Sequence, residues 1–201
     1  MLLLAAVSAA AGDIVLLLED TPGMEPALRL IDVPTLKPGD RMAIMTFSRK
    51  TRLRQDFTDD RRKLVRAVRS PSYVRTRWPG LDRVPGARVY AALGEAARLL
   101  PSGGTIVLLF GSEDHSGAAA PASLGARLYA VAVAKSYPVD PELRNVQTPP
   151  TMRGPTPPVS TLADPLPVAT FEALKPLVRA TGGEAISGRW SLPKLVAEGR
   201  P

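Results

Sequence analysis

The chain reads as an α/β protein: a three-layer, doubly wound, mostly parallel sheet with one antiparallel edge strand. Three observations predict it. Short apolar runs recur at Ile14–Leu18, Met42–Phe47, Thr105–Phe110 and Arg127–Ala134, the pattern of strands buried on both faces. Amphipathic helical segments alternate with them, which calls for parallel strands covered on both sides. The alternation breaks once, at Thr51–Gln55, a charged segment after the tight turn Ser48–Lys50, as expected of an edge strand paired antiparallel with its predecessor.

Each element has its own warrant. Ile14–Leu18 is too short for a core helix and ends in Glu19, Asp20, Thr21, Pro22 and Gly23, where polar side chains and turn formers arrive together. A helical segment follows near Met24, with Leu28, Leu30 and Ile31 available to pack on the sheet. Thr58, Asp59 and Asp60 offer an N-cap to Arg61–Ser70, whose Leu64, Val65 and Val68 form an apolar stripe. The segment from Ser70 to Pro85, with three prolines, Tyr73 and Trp78, suits a surface connection. Ala87–Leu100 carries Val89, Tyr90, Leu93, Ala97 and Leu100 at helical spacing. A short helix is expected around Ala122–Leu124. Nine of the 30 residues from Pro138 to Pro167 are proline, so an extended loop is expected there. Thr170–Ala180 returns to helix with Phe171, Leu174, Leu177 and Val178 inward, followed by a short strand at Glu184–Ser187 and a closing helix at Leu192–Gly199. Trp190 is expected to close the end of the sheet.

At 201 residues the chain suits one well-cored domain, expected over 13–201 with a proline-rich insertion at 138–167. Residues 1–12 resemble the apolar part of a secretory signal without its basic start, so a signal segment and a leading extension are both open readings. That apolar run is too short to span a bilayer. The absence of cysteine excludes disulfides, thiolate metal sites and cysteine nucleophiles, and the single His115 excludes any site needing two histidines. No G-x-S-x-G elbow or phosphate-binding loop occurs, so an enzyme is not expected.

The net charge of +7 is local: eleven Lys and Arg stand against three Asp between Arg49 and Arg77, while the remainder is close to neutral. Arg49, Lys50, Arg52 and Arg54 surround the edge strand, and Arg61, Arg62, Lys63, Arg66 and Arg69 decorate the next helix. Such a stripe suits a polyanion, nucleic acid or an anionic surface, although no nucleic-acid-binding motif accompanies it. Its plainer reading is edge protection and a solvated helix face.

Taken in order, DIVLLLEDTPGM, LKPGDRMAIMTFS, LRQDFTDDRRKLVRAV, GARVYAAL, IVLLFGSEDHSG, ARLYAVAVA and LKPLVRATGGEA resemble the von Willebrand factor type A (VWA) domain, in its bacterial VWFA-related branch. The resemblance covers almost the whole chain. It implies a protein-interaction domain and favours a secreted or periplasmic location. It also implies a metal-ion-dependent adhesion site: Asp-x-Ser-x-Ser from one loop, a threonine and an aspartate from two others, holding Mg²⁺ or Mn²⁺ through hard oxygen ligands.

This sequence departs from that pattern. Glu19 replaces the first aspartate and Thr21 the first serine, while Gly23, Ala87 and Gly111 fall where the second serine, the threonine and the later aspartate belong. Two oxygen donors remain of five, so no cofactor is expected and the metal site reads as degenerate. If a divalent ion binds, Glu19, Thr21 and Asp114 would hold it. Asp20, Glu113 and Asp114 join Glu19 and Thr21 as candidate ligand-binding residues at the carboxyl ends of the strands, where open α/β sheets take their ligands. Solvated loop carboxylates and a surface histidine are the plainer reading of Glu19, Asp20, Glu113, Asp114 and His115.

Overall fold

The alternation of apolar runs with helices closes into one sheet in the computed structural model, which describes residues 12–21, 23–69, 87–100, 103–138, 161–163, 165–188 and 190–198. The expectations for the leader, for the connection from 70 to 86 and for the middle of the proline-rich segment lie outside those residues.

The strands are β1 (Asp13–Glu19), β2 (Arg41–Phe47), β3 (Thr51–Thr58), β4 (Thr105–Phe110), β5 (Arg127–Ala132), β6 (Ser136–Pro138), β7 (Thr161–Ala163) and β8 (Ala185–Ser187). The helices are α1 (Glu25–Arg29), α2 (Arg61–Arg69), α3 (Val89–Leu99), α4 (Val168–Ala180) and α5 (Leu192–Glu198). The main sheet runs β3-β2-β1-β4-β5-β8. Every neighbouring pair is parallel except β2 with β3, which is antiparallel with register shifts between Met42 and Met45.

Alternation along β1 builds the three layers. Val15 and Leu17 face one side, with Leu93 and Ala96 of α3 and Phe171 and Leu174 of α4. Ile14, Leu16 and Leu18 face the other, with Leu28 of α1, Leu64 and Val68 of α2, and Leu195 and Val196 of α5. Trp190 packs, half-buried, on this second cluster. All five residues Ile14–Leu18 are buried, as a central parallel strand requires.

Four expectations need correction. Leu30 does not pack on the sheet but is 82% exposed, because a five-residue helix turns Leu28 and Ile31 inward and leaves Leu30 on the outer side. No helix forms around Ala122–Leu124: Leu124 alone is buried, and Gly117 and Gly125 hold positive φ on either side of a stretch too short to nucleate one. On α3 the buried face is Val89, Ala92, Leu93 and Ala96, with Tyr90 and Ala97 at its margin. The proline-rich segment is not wholly extended loop, since β6 pairs antiparallel with β7 and joins its two ends.

β1 is flanked by β2 on one side and β4 on the other, so successive connections leave it in opposite directions. The crevice outside the carboxyl ends of β1 and β4 is therefore the topological switch point, the place where such sheets take ligands.

Candidate functional site at the carboxyl ends of β1 and β4

At that crevice stands Glu19, the last residue of β1, fully buried at the end of an otherwise apolar strand, which overturns its plainer reading as a solvated loop carboxylate. A carboxylate there requires partners, and five groups supply them. The backbone N–H groups of Gly111 and Ser112, just past β4, donate to Oε2 at 2.7 and 3.0 Å. The hydroxyls of Ser112 and Thr21 donate to Oε1 at 2.6 and 2.5 Å. The fifth partner is the ammonium of Lys135, 2.7 Å from Oε1. Lys135 follows β5 and is itself 2% exposed, and its Nζ also donates to the Ser112 hydroxyl.

Burial alone would raise the Glu19 pKa. The Lys135 charge, with hydrogen bonds from Lys135, Ser112 and Thr21, reverses that and holds it below the ordinary carboxylate value. The pair is thus an ion pair, fully desolvated and hydrogen-bonded on every side.

The remaining candidate residues lie nearby but do other things. Asp20 is buried rather than solvated, a second correction to that reading, and its N–H donates to the Phe47 carbonyl at 2.7 Å, tying the end of β1 to the end of β2. The Glu113 carboxylate accepts from the N–H groups of Ala169 and Thr170 at 3.0 and 2.7 Å and from the Thr170 hydroxyl at 2.6 Å. It thereby caps the start of α4, whose own N-cap, Pro167, brings no side-chain acceptor. Hydrogen bonds from Thr170 and Ala169 outweigh desolvation and lower the Glu113 pKa. Asp114 does the same for α3, accepting from Tyr90 N–H at 3.0 Å, and from Ser116 N–H at 2.9 Å. Both carboxylates are bound to helix starts rather than turned towards Glu19. His115 is exposed, and its N–H donates to the Ala87 carbonyl at 2.8 Å.

The donor set does not suit a divalent ion. Among the described residues no three His, Cys, Asp or Glu side chains cluster closely enough to hold one. Glu19 already carries a cation, and a doubly charged ion beside the ammonium would be repelled. A side chain at Gly111 would be crowded: a Cβ there would lie 2.7 Å from the Met24 sulfur and 3.0 Å from both Lys135 Cγ and the Val133 carbonyl oxygen, so these neighbours would have to shift. Gly23, at φ +87°, holds a conformation that a serine would adopt only under strain.

Sequence reasoning missed Lys135 and Ser112. A signal existed for the first: Lys135 is a lone cation at the exit of an apolar strand whose carboxyl end opens onto the same crevice.

The basic stripe is a separate feature. Arg49, Lys50, Arg52, Arg61, Arg62, Lys63, Arg66 and Arg69 are exposed and Arg54 half-buried. Arg61 is drawn aside, donating to the Val33 carbonyl at 2.8 Å and to Asp32 at 3.3 Å. Leu53, Arg54 and Gln55 of β3 with Lys63, Arg66 and Ala67 of α2 line an open groove of about 300 Å³. Asp60 caps α2 as expected, accepting from Arg62 and Lys63 N–H at 2.9 and 3.3 Å. Arg75 and Arg77 lie outside the described residues.

No protein-family model matches the chain, and no curated protein matches it. Solved structures do. An aerotolerance-related membrane protein from Bacteroides fragilis, solved with multiple mutations to serines, is similar over 93% of this chain and 96% of that one, at 17% identity and a TM-score of 0.60. The conserved hypothetical protein BatB from Bacteroides thetaiotaomicron is similar over 94% and 96%, at 15% identity and a TM-score of 0.55. The vWF domain of the type V pili tip protein Mfa5 from Porphyromonas gingivalis is similar over 53% and 39%, at 14% identity and a TM-score of 0.37, too partial a likeness to argue from. At these identities the likeness is one of fold. With the observed strand order and the antiparallel edge strand, it makes this chain a three-layer α/β domain with the fold of those two Bacteroides proteins.

Proposed function

We propose that this VWA-like domain is a non-enzymatic protein-interaction module that engages its partner through the loops at the carboxyl end of the sheet, without a divalent ion. The observation that carries the reading is the Glu19–Lys135 pair, with side chains 0% and 3% exposed. A partner's acidic side chain cannot reach a cation sealed at that depth, so recognition falls to the loop surface above it, where His115, Gly117, Ala118 and Ala119 are exposed. The caps supplied by Glu113 and Asp114 fix that surface to the starts of α3 and α4, so a partner meets a preformed face and loses little ordering entropy. Among the described residues no helix is long and apolar enough to cross a membrane.

Site-specific photo-crosslinking tests the reading. A photoreactive residue at Ala118 is expected to capture a partner in native extract equally in EDTA and in Mg²⁺, while one at Lys37, at the opposite end of the sheet, is not. Capture that EDTA abolishes, or capture at Lys37 alone, would overturn it.

A second reading rests on the groove between β3 and α2. Arg54, Lys63 and Arg66 converge there on a partly apolar floor, which suits a polyanion such as nucleic acid. Binding to duplex DNA that falls steeply with added salt supports this reading; weak binding insensitive to salt counts against it.

A further inference from the structure

We infer that Lys135 is a tethered replacement for the divalent ion, a covalently attached cation that holds the carboxyl ends of β1 and β4 together. The inference stands on the geometry of the buried site, so a failed search for a partner would leave it intact.

Three observations converge. The first is position: Nζ contacts Glu19, the residue at the place of the pattern's first aspartate, and the Ser112 hydroxyl beyond β4, so one ammonium bridges the two strand ends a metal ion would bridge. The second is charge. One carboxylate and one ammonium cancel in a desolvated setting, whereas a doubly charged ion beside Glu19 alone would leave excess positive charge buried. The third is space. The Lys135 stem borders the space a side chain at position 111 would enter: its Cγ lies 3.0 Å from an ideal Cβ built on Gly111, as does the Val133 carbonyl oxygen, with the Met24 sulfur nearer at 2.7 Å. A longer side chain at position 111 and the stem that brings the ammonium therefore compete for neighbouring volume.

A tethered cation has consequences a free ion lacks. It does not dissociate, so the loops carrying Thr21, Gly111 and Ser112 stay assembled whatever the divalent-ion concentration. It also offers no exchangeable position, because the ammonium is already taken up by Glu19 and Ser112 and is sealed from water.

Thermal unfolding of the full chain with added cations provides the test. Lys135→Ala is expected to lower the midpoint by about 10 °C, since it strands the Glu19 carboxylate. Methylammonium at millimolar concentration is expected to recover a measurable part of that loss in Lys135→Ala, whereas Mn²⁺, with its second charge unmatched beside Glu19, is not. Neither should shift the wild-type midpoint. Lys135→Met keeps the stem's volume without its charge, and is expected to be destabilised and to resist rescue because no hole is opened. A Lys135→Met protein as stable as wild type, or a Lys135→Ala protein that methylammonium does not rescue, would overturn the inference. Should Lys135→Ala fail to fold, electron paramagnetic resonance of Mn²⁺ titrated into the wild-type chain decides. An unreduced free-ion signal at millimolar Mn²⁺ supports the tethered cation, and a bound ion at the Glu19 crevice overturns it.

Discussion

The two cationic regions of this domain differ first in their relation to water. Lys135 is one charge, sealed beneath the loops and matched to one carboxylate that itself receives four other hydrogen bonds. Along β3 and α2, by contrast, exposed arginines and lysines outnumber the acidic residues beside them. Desolvation makes each contact in the first region costly to lose. Solvent screening makes the individual charges of the second nearly irrelevant to folding and available to an external partner. The comparison teaches where to look for stability and where for recognition, since most of the chain's basic surplus lies along β3 and α2.

The largest expected effect lies in the buried region. Glu19→Ala removes the carboxylate and leaves the Lys135 ammonium and two backbone N–H groups without their acceptor. A loss of about 3–5 kcal/mol in denaturant unfolding is expected. A loss below about 1 kcal/mol would show that the ammonium reaches water, and the contrast would collapse.

Acid titration sharpens the same point. The Glu19 pKa lies below its ordinary value of 4.5 in the folded chain, so on acidification the unfolded chain takes up the proton first. The stabilisation from this group is therefore complete above the unfolded value and drains away as the pH falls through the folded one. Glu113 is shifted in the same direction, so the decline in wild type alone is not specific to Glu19. Glu19→Gln, less stable at neutral pH, is expected to show a shallower decline below pH 4.5, because one of the titrating groups is gone. Parallel declines in the two proteins would remove Glu19 from the account.

The smallest effect on folding belongs to the stripe. Replacing Arg54, Lys63 and Arg66 together by Ala is expected to change stability by no more than about 0.5 kcal/mol per site. If the groove binds duplex DNA, the same variant loses roughly 0.9 of log–log salt slope for each phosphate contact removed. An unchanged slope would place any DNA binding elsewhere on the chain.

The sequence by itself determined the layers. Apolar runs of strand length alternating with amphipathic helices leave few alternatives to a doubly wound sheet, and the charged segment Thr51–Gln55 had to lie at its edge, in a strand the structure extends to Thr58. It also marked Glu19 and Thr21 as residues of the switch-point crevice, because the chemistry of a strand end is local. Only the tertiary structure decided what meets them there. Lys135 stands 116 positions beyond Glu19 in the chain, and no periodicity relates an apolar strand's exit residue to a carboxylate two strands away. The same holds for Glu113 and Asp114, whose roles as caps depend on where α3 and α4 begin in space rather than on anything in their own loop. Hydrophobic pattern is written along the chain, whereas the pairing of buried charge depends on which strand ends the completed sheet brings side by side.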